Sequence, residues 1–241
     1  MRMKHHRIGC ALLLVTGGFA GLAAAQNPEL QQKIAEVKQA AAANKQALAQ
    51  YTWVETVTIS LKGEQKKQEH FQVRLGPDGK PQKQSLDQPA PQQSADSGGR
   101  RGGRVKEHVV EKKTAEYKDY ANSIKSLIEQ YVPPDKDLIE QAKQKGNIAL
   151  SPAAGGEGQY QLALSNYVKQ GDKMAIVINK AQKAIVSISI NSYLDDPKDA
   201  VTADVQFSAI PGGPGHVSAV TINGVSKQLT IAIQNGNYQH M

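Results

Sequence analysis

Apolar residues recur along this chain with two different periods, and the switches between them mark out its elements. Over 29–50, Leu30, Ile34, Val37, Ala41 and Leu48 recur at helical spacing, with Lys, Gln and Glu on the other face. That predicts an amphipathic helix. The rest of its stripe is alanine, so it is expected to lie on a sheet with little bulk between them. From Tyr51 the period becomes two: Tyr51, Trp53, Val57 and Ile59 fall on one side, Thr52, Thr56, Thr58 and Ser60 on the other. This is the pattern of a half-buried strand. After a turn at Gly63-Glu64, Phe71, Val73 and Leu75 alternate up to Gly76-Pro77-Asp78-Gly79, a strong turn signal.

Residues 80–104 have almost no apolar side chain and carry Pro81, Pro89, Pro91 and the run Gly98-Gly99-Arg100-Arg101-Gly102-Gly103-Arg104. Such a stretch buries too little to offset the entropy of ordering, and is expected to be a mobile loop. A second helix is predicted over 105–131, with the stripe Tyr117, Tyr120, Ile124, Leu127, Ile128 and Tyr131, stopped by Pro133-Pro134. Asp135 is placed to cap a short third helix that carries Leu138, Ile139 and Ala142 inward and ends at Gly146. A Gly-rich connection follows over 151–158.

The remainder alternates strand after strand: Tyr160 to Leu164, Met174 to Ile178, Ala184 to Ile190, Val201 to Ala209, Val217 to Thr221 and Leu229 to Ile233. Asn223-Gly224 reads as a two-residue hairpin turn. Short links and one polar side per strand suit an antiparallel sheet wet on one face. The expected fold class is α+β: a curved antiparallel meander of about eight or nine strands, packed on an N-terminal helix and two central helices.

The first 25 residues stand outside this pattern. Arg2, Lys4 and Arg7, with no acid, precede an apolar run from Ile8 to Leu22 that closes on Ala23-Ala24-Ala25. These are the parts of a secretory signal peptide, with cleavage expected between Ala25 and Gln26. The run is shorter than the roughly 20 residues of a membrane span and contains Gly17, Gly18 and Gly21, so the mature protein is expected not to be transmembrane. The expected organisation is a signal peptide over 1–25 and a single α+β domain over 26–241 that contains the loop at 80–104. The expected destination is the periplasm, with the medium as the alternative. Cys10, the only cysteine, precedes the apolar core and leaves with the leader. Thiolate metal sites, disulfides and cysteine nucleophiles are thereby excluded from the mature chain.

Charge and composition narrow the functions further. The formal charge is +7, and loss of Arg2, Lys4 and Arg7 lowers it by three. The remaining excess suits contact with an anionic surface and is too sparse for a nucleic-acid binder. Aromatic residues make up 5%, with three Phe and one Trp, which does not favour a large aromatic pocket. Arg100, Arg101 and Arg104 are the candidates for anionic-surface contact; the plainer reading is a solvated loop. His70, His108, His216 and His240 have no metal-pair spacing and read as surface residues. Asp195-Asp196-Pro197-Lys198-Asp199 lacks the glycine and late glutamate of a calcium loop and reads as a polar hairpin loop. There is no Gly-x-Ser-x-Gly elbow, no facing carboxylate pair and no phosphate loop. The chain is expected to be non-enzymatic and to need no cofactor. Trp53, Phe71 and Phe207 are the candidates for lining a ligand; the plainer reading of Trp53 is a core anchor.

Five stretches together resemble a family of exported bacterial proteins with no assigned activity: Tyr51-Thr52-Trp53, Val73 through Lys80, Glu111-Lys112-Lys113, Tyr131-Val132-Pro133-Pro134 and Pro211-Gly212-Gly213-Pro214. More faintly, the order of elements is similar to that of periplasmic lipoprotein carriers. That resemblance implies a curved antiparallel sheet wrapping helices, with an acyl chain in the hollow. The expectation is an exported binding or carrier protein, its partner a lipid or acyl chain. The alternative is an envelope structural protein with a packed core, whose basic loop meets an envelope protein or an anionic surface.

Overall fold

Alternation of apolar and polar side chains builds one open sheet, and the two helices that follow the first three strands pack on its apolar face. The computed structural model describes residues 39, 42–87, 103–155 and 158–241, with backbone alone for 103–114. A helix covers 42–48 (α1). Then come β1 (Tyr51–Leu61), β2 (Glu64–Leu75), β3 (Pro81–Ser85), α2 (Gly103–Ile128) and α3 (Lys136–Gln144). Seven strands complete the chain: β4 (Ile148–Pro152), β5 (Gln159–Ser165), β6 (Lys173–Asn179), β7 (Ala184–Tyr193), β8 (Ala200–Ala209), β9 (Gly215–Gly224) and β10 (Leu229–His240). The sheet order is β3-β2-β1-β10-β9-β8-β7-β6-β5-β4, antiparallel throughout. Two meanders are thus joined where the last strand pairs with the first. Among the described residues no helix is long and apolar enough to cross a membrane.

The strand count is ten, not eight or nine, and the two unforeseen strands, β3 and β4, are the two edges. Each has five residues and pairs on one side only. β3 lies where the sequence predicts the start of a mobile loop, and its residues are exposed throughout. Backbone pairing to β2, not burial, holds it. Its proline stands first in an edge strand, where no ladder N–H is lost. Arg100 and Arg101 lie outside the described residues, as does the expected cleavage site at Ala25 and Gln26; Arg104 falls in the first turn of α2.

On the inner face, neighbouring strands place Ile222, Ala203, Ile190, Met174 and Leu164 beside one another. Tyr120, Ile124, Leu127, Ile128 and Tyr131 of the α2 stripe and Ala142 of α3 close over this floor, and side chains fill the space between. Asp135 caps α3 as expected, accepting from Asp137 N at 2.8 Å and Leu138 N at 3.0 Å. Gly146, at φ +71°, ends it with Asn147 N donating to Ala142 O at 2.7 Å, a Schellman-type stop.

Asn223-Gly224 does not form the hairpin turn that the dipeptide suggests. Both residues lie in β9, with Gly224 opposite Leu229 and Val201, and the loop falls at 225–228. Gly224 has a packing reason instead. A Cβ there would come within 2.5 Å of Ile124 Cδ1 and 2.7 Å of Tyr120 Cε1, so glycine lets α2 approach the sheet. Tyr120 donates to Asp199 at 2.7 Å beside this contact, which occupies one of the loop carboxylates.

Gly224→Ala should therefore cost about 1–3 kcal/mol in urea unfolding, through overpacking under α2. Burial, and then Asp199, push the Tyr120 phenol up to about 12 from 10.0. Because the folded value is the higher one, this group leaves stability unchanged below the unfolded value and lowers it as pH rises from about 10 to 12. A tyrosinate absorbance titration of wild type against Tyr120→Phe should lose one late-ionising phenol.

Candidate functional site

The alternation of β1 puts Trp53, Glu55, Val57 and Ile59 on the inner face. Opposite them on β10 stand Asn235, Ile233 and Ile231. Near the Trp53 end, strands β2, β1, β10 and β9 make a corner that is buried separately from the main core. Trp53 and Val73 are buried there, and so is the Glu55 carboxylate. A register irregularity opposite Trp53, with Asn237 at φ +53°, returns Tyr238 to the same side as the indole. Tyr238 then stacks on Trp53, ring centroids 5.6 Å apart at 21°, and meets the His216 imidazole at 4.1 Å. α1 docks close by: the Asn44 amide donates to Gly215 O and accepts from Gly215 N, both at 2.6 Å.

The polar groups of the corner are few and mostly committed. Lys83 of β3 pairs with Glu55 and passes over the Phe71 ring, 5.8 Å from its centroid. An inward-pointing charge on an edge strand is also a device against edge-to-edge pairing. Asn235 Nδ2 donates to Val217 O at 3.0 Å, and Tyr238 OH reaches the same oxygen at 3.4 Å. Burial, and secondarily the Glu55 carboxylate, hold the Tyr238 phenol above its ordinary range, so it stays neutral. Among the described residues, two buried side-chain atoms have no partner: the Trp53 indole Nε1 and Asn235 Oδ1. No group of three or more His, Cys, Asp or Glu that could hold a metal gathers among the described residues.

All three aromatic candidates lie on the inner face, in neighbouring rows. Trp53 stands opposite Val73, and Phe71 opposite Glu55. Phe207, opposite Val217, packs half-buried against the main core. Glu55 is legible from the alternation alone, for it occupies an inward slot in the series Tyr51, Trp53, Val57, Ile59. His216 is not the surface residue its position in the alternation suggests, because β9 and β10 splay beyond Ala219 and let Tyr238 lean onto it. His70 pairs with Asp87 at 2.9 Å, and that hydrogen bond lowers the Asp87 pKa; His240 is exposed, edge-on to Tyr51.

Two grooves open elsewhere. One, of about 570 Å³, lies on the outer face above the cross-strand row Ala149, Ala163, Ala175, Ser189 and Asp204. The other, of about 300 Å³, lies at the β4–β5 edge by Pro152 and Tyr160. Neither lies between the sheet and α2 or α3.

Two solved structures are faintly similar to the chain. A DUF1329 family protein from Desulfovibrio piger ATCC 29098 has 13% identity and a TM-score of 0.39, over 86% of this chain and 92% of its own. A LolA superfamily protein from Nitrosomonas europaea has 9% identity and a TM-score of 0.36, over 87% of this chain and 93% of its own. Likeness at this level is in keeping with the faint resemblance read from the order of elements and carries nothing about function. No family model matches the chain, and no curated protein matches it.

Lys83→Met should leave the Glu55 carboxylate buried without its cation and cost on the order of 2 kcal/mol in urea unfolding. The double variant with Glu55→Gln should recover more than half of that loss, which a two-variant cycle measures directly.

Proposed function

We propose that this is an exported, non-enzymatic binding or carrier protein of the bacterial envelope, taking a lipid or acyl chain along the inner face beside α2 and α3. One observation carries the reading. Val57, Ile59, Ile231 and Ile233 of β1 and β10 form a half-buried apolar band that runs from the edge of the main core, against which Ile59 and Ile231 pack, into the Trp53–Tyr238 corner. An acyl chain would cover the band, each buried methylene contributing about 0.8 kcal/mol. Bulges in β2 and β9 bend their strands, which supports a concave surface around such a chain. The filled space beneath α2 and α3 favours a second reading, an envelope structural protein whose basic segment before α2 meets an anionic surface or another envelope protein.

Trp53 is the only tryptophan, so it reports on the corner without labelling. Protein purified from its own envelope should carry lipid in native mass spectrometry. A brominated fatty acid should quench the Trp53 emission, and Ile233→Asp should weaken that quenching about tenfold. No bound lipid together with no quenching would sink the carrier reading and leave the structural one.

A further inference from the structure

The Trp53 corner holds one buried donor and one buried acceptor that its neighbours leave unanswered. Trp53 is 6% exposed, yet its indole N–H meets no acceptor; Asn235 Oδ1 is buried and meets no donor. Buried polar groups in folded proteins are almost always satisfied, and an exception points to a water or a ligand. The two residues stand on paired strands: Asn235 is opposite Glu55, and Tyr238, three residues on, stacks against the Trp53 ring. The other polar groups of the corner already have partners. Asn235 Nδ2 is on Val217 O, Glu55 is on Lys83, and Gln72 Nε2 is on Trp53 O at 3.3 Å.

Charge restricts what enters. Glu55 is matched by Lys83, whose ammonium is the corner's cation. A second anion would face the Glu55 carboxylate with no cation of its own and would lose its hydration as well. A neutral head group escapes both penalties. An ester offers only acceptors, and so leaves Asn235 Oδ1 unanswered. An amide offers an acceptor and at least one N–H donor.

We propose that the Trp53–Asn235 corner reads the head of the bound amphiphile and selects a neutral amide, whose carbonyl accepts from the Trp53 indole N–H while its N–H donates to Asn235 Oδ1. The ligand class is then an amide-linked acyl chain, and the assignment rests on the acyl-chain reading above.

The test uses the purified protein and three probes of equal chain length: dodecanamide, methyl dodecanoate and ionised dodecanoate. Calorimetry gives their affinities, and nitrogen-labelled tryptophan gives a single indole N–H resonance. Dodecanamide should bind about tenfold tighter than either of the others and move that resonance downfield. Asn235→Ala should erase the advantage over the ester. Because Asn235 also holds Val217 O, Trp53→Phe provides a second variant that keeps a ring against Tyr238; it should lower amide affinity about tenfold. Equal affinity for the three probes would overturn the amide assignment and leave the acyl-chain reading standing. So would an indole resonance that dodecanamide does not move, as when an ordered water already serves both atoms. Failure of all three to bind would overturn both.

Discussion

The Asp172 carboxylate, 1% exposed, is the point through which the helices are fixed to the sheet. It accepts from the backbone N–H groups of Tyr167, Val168 and Lys169 at 2.6, 2.8 and 2.9 Å, and from the Tyr131 phenol at 2.6 Å. A buried carboxylate is costly unless hydrogen bonds replace its hydration, and here four donors do so. The donors come from two parts of the molecule. The three amides wind the β5–β6 loop, and Tyr131 carries the end of α2. The Ser192 hydroxyl of β7 lies 2.8 Å from the same phenol oxygen. Tyr167 extends the network to α3, its hydroxyl lying 2.7 Å from Asp135 N.

Because Asp172 holds the end of α2, the core under the helix stripe from Tyr120 to Tyr131 takes in β5 to β10 and the Ile59–Leu61 end of β1, but not β2. Gly224 allows the same docking at its other end by leaving room for Ile124 and Tyr120. Together they divide the inner face. The larger part becomes the main core, and beyond its Ile59–Ile231 edge lie Val57, Ile233 and the separate Trp53 corner. The corner in turn needs the closing pair β1–β10, since Trp53 and Glu55 come from the first strand and Asn235 and Tyr238 from the last.

Much of this fold is legible from periodicity. The eight strands with alternating apolar residues, the α2 stripe, the Asp135 cap and the Gly146 stop all follow from local physics. The edge strands do not: β3 is held by backbone pairing and needs no apolar alternation, and β4 offers only Ile148 and Leu150 as inward residues, too short a run to mark a strand. Asn223-Gly224 has the chemistry of a tight turn, yet α2 sits over it and uses the missing Cβ for close approach. For the candidate site, Trp53 and Phe71 are legible as inward aromatics. The partners Lys83, Asn235 and Tyr238 are not, for they arrive from segments that read as loop or tail, and a local bulge turns one of them inward.

The sequence by itself determined the α+β class, the inward face of most strands and both ends of α3, because each depends on the identity and spacing of near neighbours. Only the tertiary structure decided which part of the inner face the helices cover, which strands form the edges, and that an indole N–H and an amide oxygen are left without partners in one corner. Those outcomes depend on contacts between residues such as Trp53 and Tyr238, or Tyr131 and Asp172, that lie far apart in the chain and that no local pattern encodes.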